Sequence, residues 1–560
     1  MRYAYYACFF GRLITNLAVL LRCSKQEPCA IKDGVKRDFS FPGRSTAIST
    51  NAMAATSSPA ATLAALDVMK RGGNAVDAAV TASAVLCVTE PHMTGIGGDC
   101  FAILATPQGR RHGLNGAGRS AAAATADWLR QSALTSIAPD SPHSVTVPGA
   151  IDAWDLLLKD HGTLSLADAL APAIELAEAG VPTQPRVASD WQDCVAGLKK
   201  NTGAALHYLY KGAAPAVGDV MRYPALANTL RRIAAGGRDA FYTGEIADDM
   251  VATLRSAGSL LTLEDFASAA GEWVKPVSTG FIGHQIHEIP PPGQGLTVLI
   301  ALNILECFGL KSLDPEGPQR RHLEIEALKR AWVLRNRHIA DPDFADVPVA
   351  DLLSAAMAKR LASTIDPRRA SDVRLVLPPS DTVYLSVVDQ DRLCVSFINS
   401  IYSSFGSGMV TEKTGITLQN RGSGFSCDPQ HPNVIAPRKR PLHTIIPALS
   451  TKDGKPDMVF GVMGGDFQPM GHVNVVLNRH CFGMDPQETL DSPRLVPSDG
   501  FVDYETSLPA TLVSDLVARG HRMRPANEPL GGGQIIAIEH SRGLLTGGSD
   551  PRKDGFAAGF

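Results

Sequence analysis

Paired cysteines, long apolar runs and an excess of charge of either sign are all missing from this sequence. Its ten cysteines are scattered along 560 residues, without a CxxC pair or the regular spacing that a disulfide framework or a thiolate metal site requires. The formal net charge is −3, so the composition gives no general attraction to nucleic acid. We therefore expect mostly buried, reduced thiols, no metal, no cofactor and no nucleic-acid partner.

The signature motifs of three common enzyme classes are missing as well. His284 and His287 stand in GHQIHE, which lacks the HExxH order of a zinc-binding helix. The glycine-rich loop at 91–99, PHMTGIGGD, has no GxGxxG order and no strand before it, which argues against a dinucleotide site. No GxSxG nucleophile elbow occurs, which argues against an ordinary serine hydrolase.

Residues 1–38 differ in texture from the rest of the chain. The stretch from Tyr3 to Leu21 is largely apolar but carries Arg12, and it is too interrupted for a clear transmembrane helix. Its basic start and the run LAVLL are typical of a signal peptide or anchor, although no small-x-small cleavage site follows. The alternative is an N-terminal extension or a wrongly chosen start codon. Localisation therefore stays open between cytoplasmic and secretory or membrane-anchored, and a membrane is a partner only if this segment is an anchor.

The sequence does contain a change from helical to strand-like patterning. Hydrophobic residues make up 44% and charged residues 19%, as in a soluble α/β enzyme. Helical patterns dominate up to about residue 340, whereas TVYLSVVD from Thr382 and LCVSFINSI from Leu393 alternate with period two and predict a hairpin. Further strand patterns occur at 409–418, 443–449, 457–463, 533–539 and 543–546. The order of elements predicts an α+β fold in which helices sandwich sheets.

Thr382 occupies the position that an N-terminal nucleophile needs. It begins a predicted buried strand directly after the Pro-Pro-Ser-Asp segment. A hydroxyl is a weak nucleophile unless a base lies beside it, and the α-amine of the same residue can serve once chain cleavage exposes it. Threonine is also common at strand starts, so this pattern alone leaves both interpretations open.

Several motifs, taken in their order along the chain, carry a family resemblance. DTVYLSVVD, the Phe405-Gly-Ser-Gly loop, Met463-Gly-Gly and the terminal GGSDPRKDG together resemble the γ-glutamyltransferase family of N-terminal nucleophile hydrolases. The resemblance covers about residues 39–560 and includes EPHMTGIGGD, SVTVPGA and PPPGQG. It implies a four-layer αββα sandwich made as a single-chain precursor. It also implies a large subunit region at 39–381 and a small one at 382–560, each the partner of the other.

The resemblance assigns catalytic roles to a few positions. Thr382 Oγ would attack the Asp381 carbonyl to cut the chain, and would then attack the substrate amide to form an acyl-enzyme. The backbone N–H groups of Gly464 and Gly465 would stabilise the oxyanion at each step. Ser400 falls where the family has a hydroxyl that hydrogen-bonds the nucleophile, and the alternative is an ordinary cross-strand serine.

The substrate-binding positions depart from the family pattern. Arg119, in NGAGRSA, matches the arginine that clamps the substrate α-carboxylate, a role that suits the two-donor fork of a guanidinium. Elsewhere the family has an asparagine, an acidic residue, a pair of serines and a neutral or acidic side chain. At those positions this chain has Tyr402, Gly424, His443-Thr444 and Arg421.

These replacements make the predicted pocket more positive. An unpaired substrate ammonium beside Arg421 would be costly, so the pocket disfavours a γ-glutamyl head and favours an anion without the ammonium. The set is similar to the subgroup that includes oxamate amidohydrolase, which predicts hydrolysis of a small carboxylate-bearing amide. If Arg421 is instead paired internally, the alternative is a γ-glutamyltranspeptidase or a hydrolase of glutathione or its conjugates. A second alternative is a catalytically silent relative that acts as a binding protein.

Overall fold

The computed structural model describes residues 43–373 and 382–560. Its strands are β1 Ala47–Ser49, β2 Met53–Thr56, β3 Asp99–Ala105, β4 Arg111–Gly116, β5 Val181–Pro182, β6 Val220–Met221, β7 Glu272–Val274, β8 Val277–Phe281, β9 His284–Glu288, β10 Val383–Val388, β11 Cys394–Ser400, β12 Ala448–Lys452, β13 Lys455–Met463, β14 Leu495–Ser498, β15 Phe501–Tyr504, β16 Met523–Pro525, β17 Gly532–Glu539, β18 Leu544–Ser549 and β19 Phe556–Gly559. Its helices are α1 Pro59–Lys70, α2 Ala75–Thr89, α3 Ala126–Ser132, α4 Ala150–His161, α5 Leu166–Ala179, α6 Pro185–Gln192, α7 Val195–Leu198, α8 Thr202–Tyr208, α9 Pro224–Tyr242, α10 Glu245–Ser256, α11 Leu263–Ala267, α12 Gly295–Glu306, α13 Pro318–His338, α14 Val349–Leu352, α15 Ala355–Ala362, α16 Gln468–Val476, α17 Pro486–Asp491 and α18 Ala510–Ala518.

Two seven-stranded antiparallel sheets form the centre of the fold. Sheet I has the strand order β1-β18-β17-β13-β12-β9-β8, and sheet II has the order β19-β2-β10-β11-β3-β4-β7. The sheets pack face to face through β10 and β13: the Ser386 hydroxyl donates to the Val459 carbonyl at 3.3 Å, and the Tyr384 ring lies directly against Gly461. A side chain on Gly461 would collide with that ring, so glycine permits the close approach of the two sheets.

Helices cover the outer face of each sheet. Helix α2 is rich in alanine and valine and is buried along its whole length, and it packs on β10 of sheet II. It begins with a capping box between Asn74 and Asp77, which satisfies the first N–H groups of the helix. Helices α12 and α16 cover sheet I, with α12 against β8 and α16 against β13. The predicted four-layer αββα class is confirmed.

The predicted hairpin is also confirmed. Strand β10 pairs with β11 from Val383 opposite Asn399 to Val388 opposite Cys394. The strand predicted at 409–418 is wrong, because this stretch forms a loop held by one isolated bridge between Val410 and Thr417.

The predicted regions 39–381 and 382–560 are interleaved in the described part of the chain. In sheet II, β10 and β11 lie between β2 and β3, and in sheet I, β12 and β13 pair next to β9. Each sheet therefore draws strands from both sides of residue 382. None of the helices in the described ranges is both long and apolar enough to cross a bilayer.

Candidate active site

The predicted nucleophile and its predicted supporting hydroxyl are in contact. Thr382 stands at the start of β10 and is fully buried, and its Oγ1 lies 3.1 Å from Ser400 Oγ at the end of β11. The same Ser400 oxygen accepts a hydrogen bond from the backbone N–H of Tyr402 at 2.9 Å. A hydroxyl that accepts one bond still has a proton to donate, so Ser400 is able to hydrogen-bond Thr382 Oγ1.

The packing of the two sheets directs Thr382 toward the end of β13. Along β10, Ser386 contacts Val459 and Tyr384 contacts Gly461, so the strands run past each other in opposite directions. Because every second residue of a strand shares a face, Thr382 follows on the same face of β10 as Tyr384. The residue of β13 that faces Thr382 is therefore Met463, and Gly464 and Gly465 follow it directly in the chain.

The Gly464-Gly465 turn has a backbone that only glycine adopts readily. Gly464 has φ 111° and Gly465 has φ 52°, both in the region that side chains disfavour. A Cβ on Gly464 would also lie 2.8 Å from the Cα of Gly531. Gly464 lines a cavity of about 700 Å³ together with Ser403 and Asp466. Gly464 of this turn thus borders a cavity that also adjoins Met463 at the end of β13.

Gln294 holds this turn in place, and the sequence analysis gave it no role although it lies in the PPPGQG motif. Its buried side-chain amide donates to the carbonyls of Thr444 at 2.8 Å and Gly465 at 3.0 Å. Its oxygen accepts from Arg335 at 2.7 Å, and Arg335 is ion-paired with Asp466. The glycine turn and the Thr444 backbone are therefore linked through one side chain.

Three of the predicted substrate-binding side chains lie together, those of Arg421, Tyr402 and Thr444. Tyr402 connects them to the hydroxyl pair formed by Thr382 and Ser400. The fully buried guanidinium of Arg421 lies 3.7 Å from the centre of the Tyr402 ring and donates to Thr444 Oγ1 at 2.9 Å. Its Nε and Nη2 have no hydrogen-bond partner among the described residues. Burial lowers the pKa of Arg421 to about 10, so the group is still a cation at neutral pH. Two donors of a buried cation thus lack an acceptor in the described part of the chain.

Tyr402 itself has an unusual backbone. Its φ is 79°, in a region that a residue with a bulky side chain rarely occupies. Such conformations persist where the surrounding structure enforces them, and they cluster at ligand sites. Tyr402 connects the two halves of the site, since its N–H contacts Ser400 and its ring covers Arg421.

His443 is a buried hydrogen-bond partner of Asp99. Its Nε2 is 3.0 Å from Asp99 Oδ2, and its Nδ1 accepts from the Ile445 N–H at 3.4 Å, so Nε2 carries the proton that it donates. Burial and the nearby Arg421 together lower the pKa of His443 to about 4. The ring is therefore neutral and serves to position Asp99.

Arg119 makes its polar contacts with a different set of residues. Its guanidinium donates to the carbonyl of Arg438 at 2.9 Å and lies 3.4 Å from Asp343 and 3.9 Å from Asp341. It lines a small cleft that also includes Asp152. Arg119 is thus already paired with two carboxylates. Asp381, the predicted cleavage partner of the nucleophile, lies outside the described residues.

Removing the Ser400 hydroxyl tests the contact with the nucleophile. Ser400→Ala is expected to slow both chain cleavage and turnover by about 10- to 100-fold, the value of a hydrogen bond to a group that develops charge. Cleavage is followed on denaturing gels and turnover by initial rates. Ser386→Ala is the matched control, because Ser386 is another buried hydroxyl between the sheets and bonds Tyr384 instead. Equal rates in the two variants would contradict a role for Ser400.

Comparisons with known proteins show which family the chain resembles. Residues 61–560 match the family model described as gamma-glutamyltranspeptidase. The glutathione hydrolase-like YwrD proenzyme of Bacillus subtilis is 38% identical over 508 residues, which are 88% of this chain and 95% of that protein. The oxamate amidohydrolase proenzyme of Klebsiella pneumoniae is 35% identical over 531 residues, covering 92% and 100%. The solved structure of a cephalosporin acylase from Bacillus halodurans is 40% identical with a TM-score of 0.88, covering 95% of this chain and 99% of that one.

Proposed function

This chain belongs to the gamma-glutamyltranspeptidase family, and from that membership we propose that it is a self-processing amidohydrolase for small carboxylate-bearing amides, with Thr382 as its nucleophile. The single observation that carries the substrate assignment is the buried Arg421 guanidinium, which has two unpartnered nitrogens close to the nucleophile pair.

Processing comes first in this mechanism. Thr382 Oγ attacks the carbonyl carbon of Asp381, the peptide C–N bond breaks, and the Thr382 nitrogen leaves as an amine. Water then hydrolyses the resulting ester, which restores the hydroxyl and leaves Asp381 with a new carboxylate. The names of the two curated relatives as proenzymes support this step. The product is a Thr382 residue whose own α-amine can act as the base.

The same hydroxyl then cleaves the substrate. The α-amine takes the proton of Thr382 Oγ as the oxygen attacks the amide carbon, and Ser400, 3.1 Å away, orients that oxygen. The N–H groups of the Gly464-Gly465 turn donate to the oxyanion, a contribution of roughly 3 kcal/mol per donor. The amine portion of the substrate leaves with the proton that the α-amine took up. Water then hydrolyses the acyl-enzyme ester, which releases the acid and restores the Thr382 hydroxyl.

Arg421 selects a substrate that carries an anion. An unpaired buried guanidinium is unfavourable in the free protein, and a carboxylate that accepts from Nε and Nη2 would satisfy both nitrogens in the bidentate manner that guanidinium prefers. Thr444 holds a third nitrogen of the same group at 2.9 Å. Binding the acid therefore gives a hydrogen-bond acceptor to both unpartnered nitrogens of Arg421.

The carboxylates near Arg421 are already occupied, which disfavours an amino-acid head. Asp99 Oδ1 accepts from the N–H groups of Gly118 and Gly149 and from Gln419 at 2.8 to 3.1 Å, and its Oδ2 accepts from His443. The other nearby acid, at position 466, is ion-paired with an arginine. A substrate ammonium at Arg421 would therefore meet a cation beside two carboxylates that already have partners. The glutathione hydrolase alternative lacks this support.

Pairs of substrates that differ only in charge test the proposal. The processed enzyme is assayed on oxamate and on other short amide acids, each beside its uncharged methyl ester, and on glutathione. We expect kcat/KM to be about 100-fold higher for the acid than for its ester, because the ester cannot pair with the guanidinium. Hydrolysis restricted to γ-glutamyl compounds would overturn the proposal.

A further inference from the structure

Two histidines and an aspartate converge at a place in sheet I that the proposed reaction does not use. His284 begins β9, Asp457 lies near the start of β13, and His480 lies in the π-helical turn Leu477–Cys481 that follows α16. Their side chains are largely shielded from solvent, with exposed fractions of 12%, 23% and 6%. The residues are far apart in sequence, which is why the motif analysis of GHQIHE did not join them.

The ligand atoms of the three side chains face one another. His284 Nδ1 lies 3.2 Å from Asp457 Oδ2, and His480 Nε2 lies 3.9 Å from the same oxygen. All three atoms are within 4.8 Å of one another. Ligands around a tetrahedral zinc ion are separated by roughly 3.3 Å, given bonds of 2.0 to 2.1 Å. Small side-chain movements therefore bring the three atoms to coordination distance.

The protein leaves part of this cluster unsatisfied. His284 Nδ1 is buried but has no hydrogen bond of good geometry among the described residues. Ser450 donates to Asp457 Oδ2 at 3.1 Å, and its oxygen also lies 3.2 Å from His480 Nε2. A buried ring nitrogen without a partner is uncommon in proteins. A metal ion bound by the Nδ1 lone pair would satisfy this nitrogen.

The donor types of the cluster suit a cation. A carboxylate with two imidazoles is a donor set that zinc binds in proteins.

We propose that His284, Asp457 and His480 bind one divalent transition-metal ion, preferentially zinc, with a further position open toward solvent. His284 lines a separate cavity of about 640 Å³, which gives an ion a path to the site. The two imidazole rings are stacked, with centres 3.8 Å apart. Coordination rotates them out of parallel so that each lone pair points at the ion.

The bound ion stabilises the sheet and takes no part in the reaction. Asp457 and Gly464 lie at opposite ends of β13, roughly 20 Å apart at the usual rise per strand residue. The three ligands come from β9, β13 and the turn after α16. The ion therefore joins a strand near the edge of sheet I, a central strand and the end of a covering helix. Metal binding to the folded state alone raises the melting temperature.

Cobalt provides the spectroscopic test. Tag-free full-length protein is freed of metal with a chelator, exchanged into chelator-free buffer and titrated with Co²⁺, and Zn²⁺ is then added as a competitor. We expect saturation at one equivalent with visible d–d bands, loss of those bands on adding Zn²⁺, and a higher melting temperature with Zn²⁺. Asp457→Asn and His480→Gln should each weaken binding by about 100-fold or more, since even outer-shell changes cost 10- to 100-fold.

A matched variant separates this site from adventitious binding. His207→Gln removes another partly exposed histidine, which bonds the Glu412 carbonyl, and should leave Co²⁺ affinity unchanged. The proposal is overturned if Co²⁺ does not saturate, or if His480→Gln binds as tightly as wild type. A strong near-ultraviolet thiolate band would also overturn it, because it would assign the ion to the neighbouring Cys481. None of these outcomes depends on the enzyme's substrate.

Discussion

Thr382→Ala is expected to remain a single chain of 560 residues under conditions in which the wild type separates into two. In the proposed mechanism the variant lacks the hydroxyl that attacks the Asp381 carbonyl, so the α-amine of residue 382 would stay in a peptide bond. Turnover should fall by about 10⁶-fold, as when the nucleophile of another acyl-enzyme hydrolase is removed. Intact masses of both proteins after a denaturing separation, with initial rates, measure the two effects.

Thr382→Ser is the matched control for that experiment. It keeps a hydroxyl at the position 3.1 Å from Ser400 Oγ, so cleavage and some turnover should persist. A wild type that is folded and uncut would exclude Thr382 as a processed nucleophile and favour the silent-relative interpretation. Cleavage of the alanine variant at the same bond would also exclude Thr382 as the nucleophile, because another group would have to make the attack.

Arg421→Met is expected to separate activity from stability. Removing the guanidinium should lower kcat/KM for a carboxylate-bearing amide by about 10²- to 10³-fold, because a buried charge-assisted pair with the substrate is lost. Chain cleavage should be unaffected, since the Asp381 bond does not use this anion site. The melting temperature should stay level or rise, because an incompletely paired buried cation is replaced by an apolar side chain of similar length.

Arg119→Met shows which guanidinium recognises the acid. Arg119 is already paired with Asp341 and Asp343, so its loss should change kcat/KM far less than the loss of Arg421. The two variants are assayed side by side on an amide acid and its methyl ester. A large loss of kcat/KM for Arg119→Met, with none for Arg421→Met, would show that Arg119 binds the substrate carboxylate, as the family resemblance predicts.

The sequence predicts those parts of the fold and site whose cause is local. The β10–β11 hairpin follows from strict alternation over two neighbouring segments, and the register brings Thr382 next to Ser400. The strand predicted at 409–418 fails for an equally local reason. The Thr411 hydroxyl lies 2.6 Å from the Thr414 hydroxyl and accepts from the Ile416 N–H at 2.8 Å. These bonds close a loop that competes with strand pairing.

The rest of the site depends on which residues the fold brings together. The pairing of Arg119 with two aspartates more than 200 residues away, and the missing partners of Arg421, are properties of packing that no motif encodes. Gln294 belongs to a quoted motif, yet its function as the link between Thr444 and Gly465 appears only once the two loops meet. The resemblance thus names positions, while the structure determines which of them have unsatisfied donors.

The interleaving of strands from both sides of residue 382 affects how the chain folds before cleavage and how it refolds afterwards. Before cleavage, folding is a unimolecular reaction whose rate does not depend on protein concentration. After the proposed cleavage before Thr382, the two fragments would have to meet in solution before β10 could enter between β2 and β3. Recovery from denaturation would then become bimolecular and would slow on dilution. The processed enzyme would be maintained by slow unfolding, and each molecule would assemble efficiently only once, as a precursor.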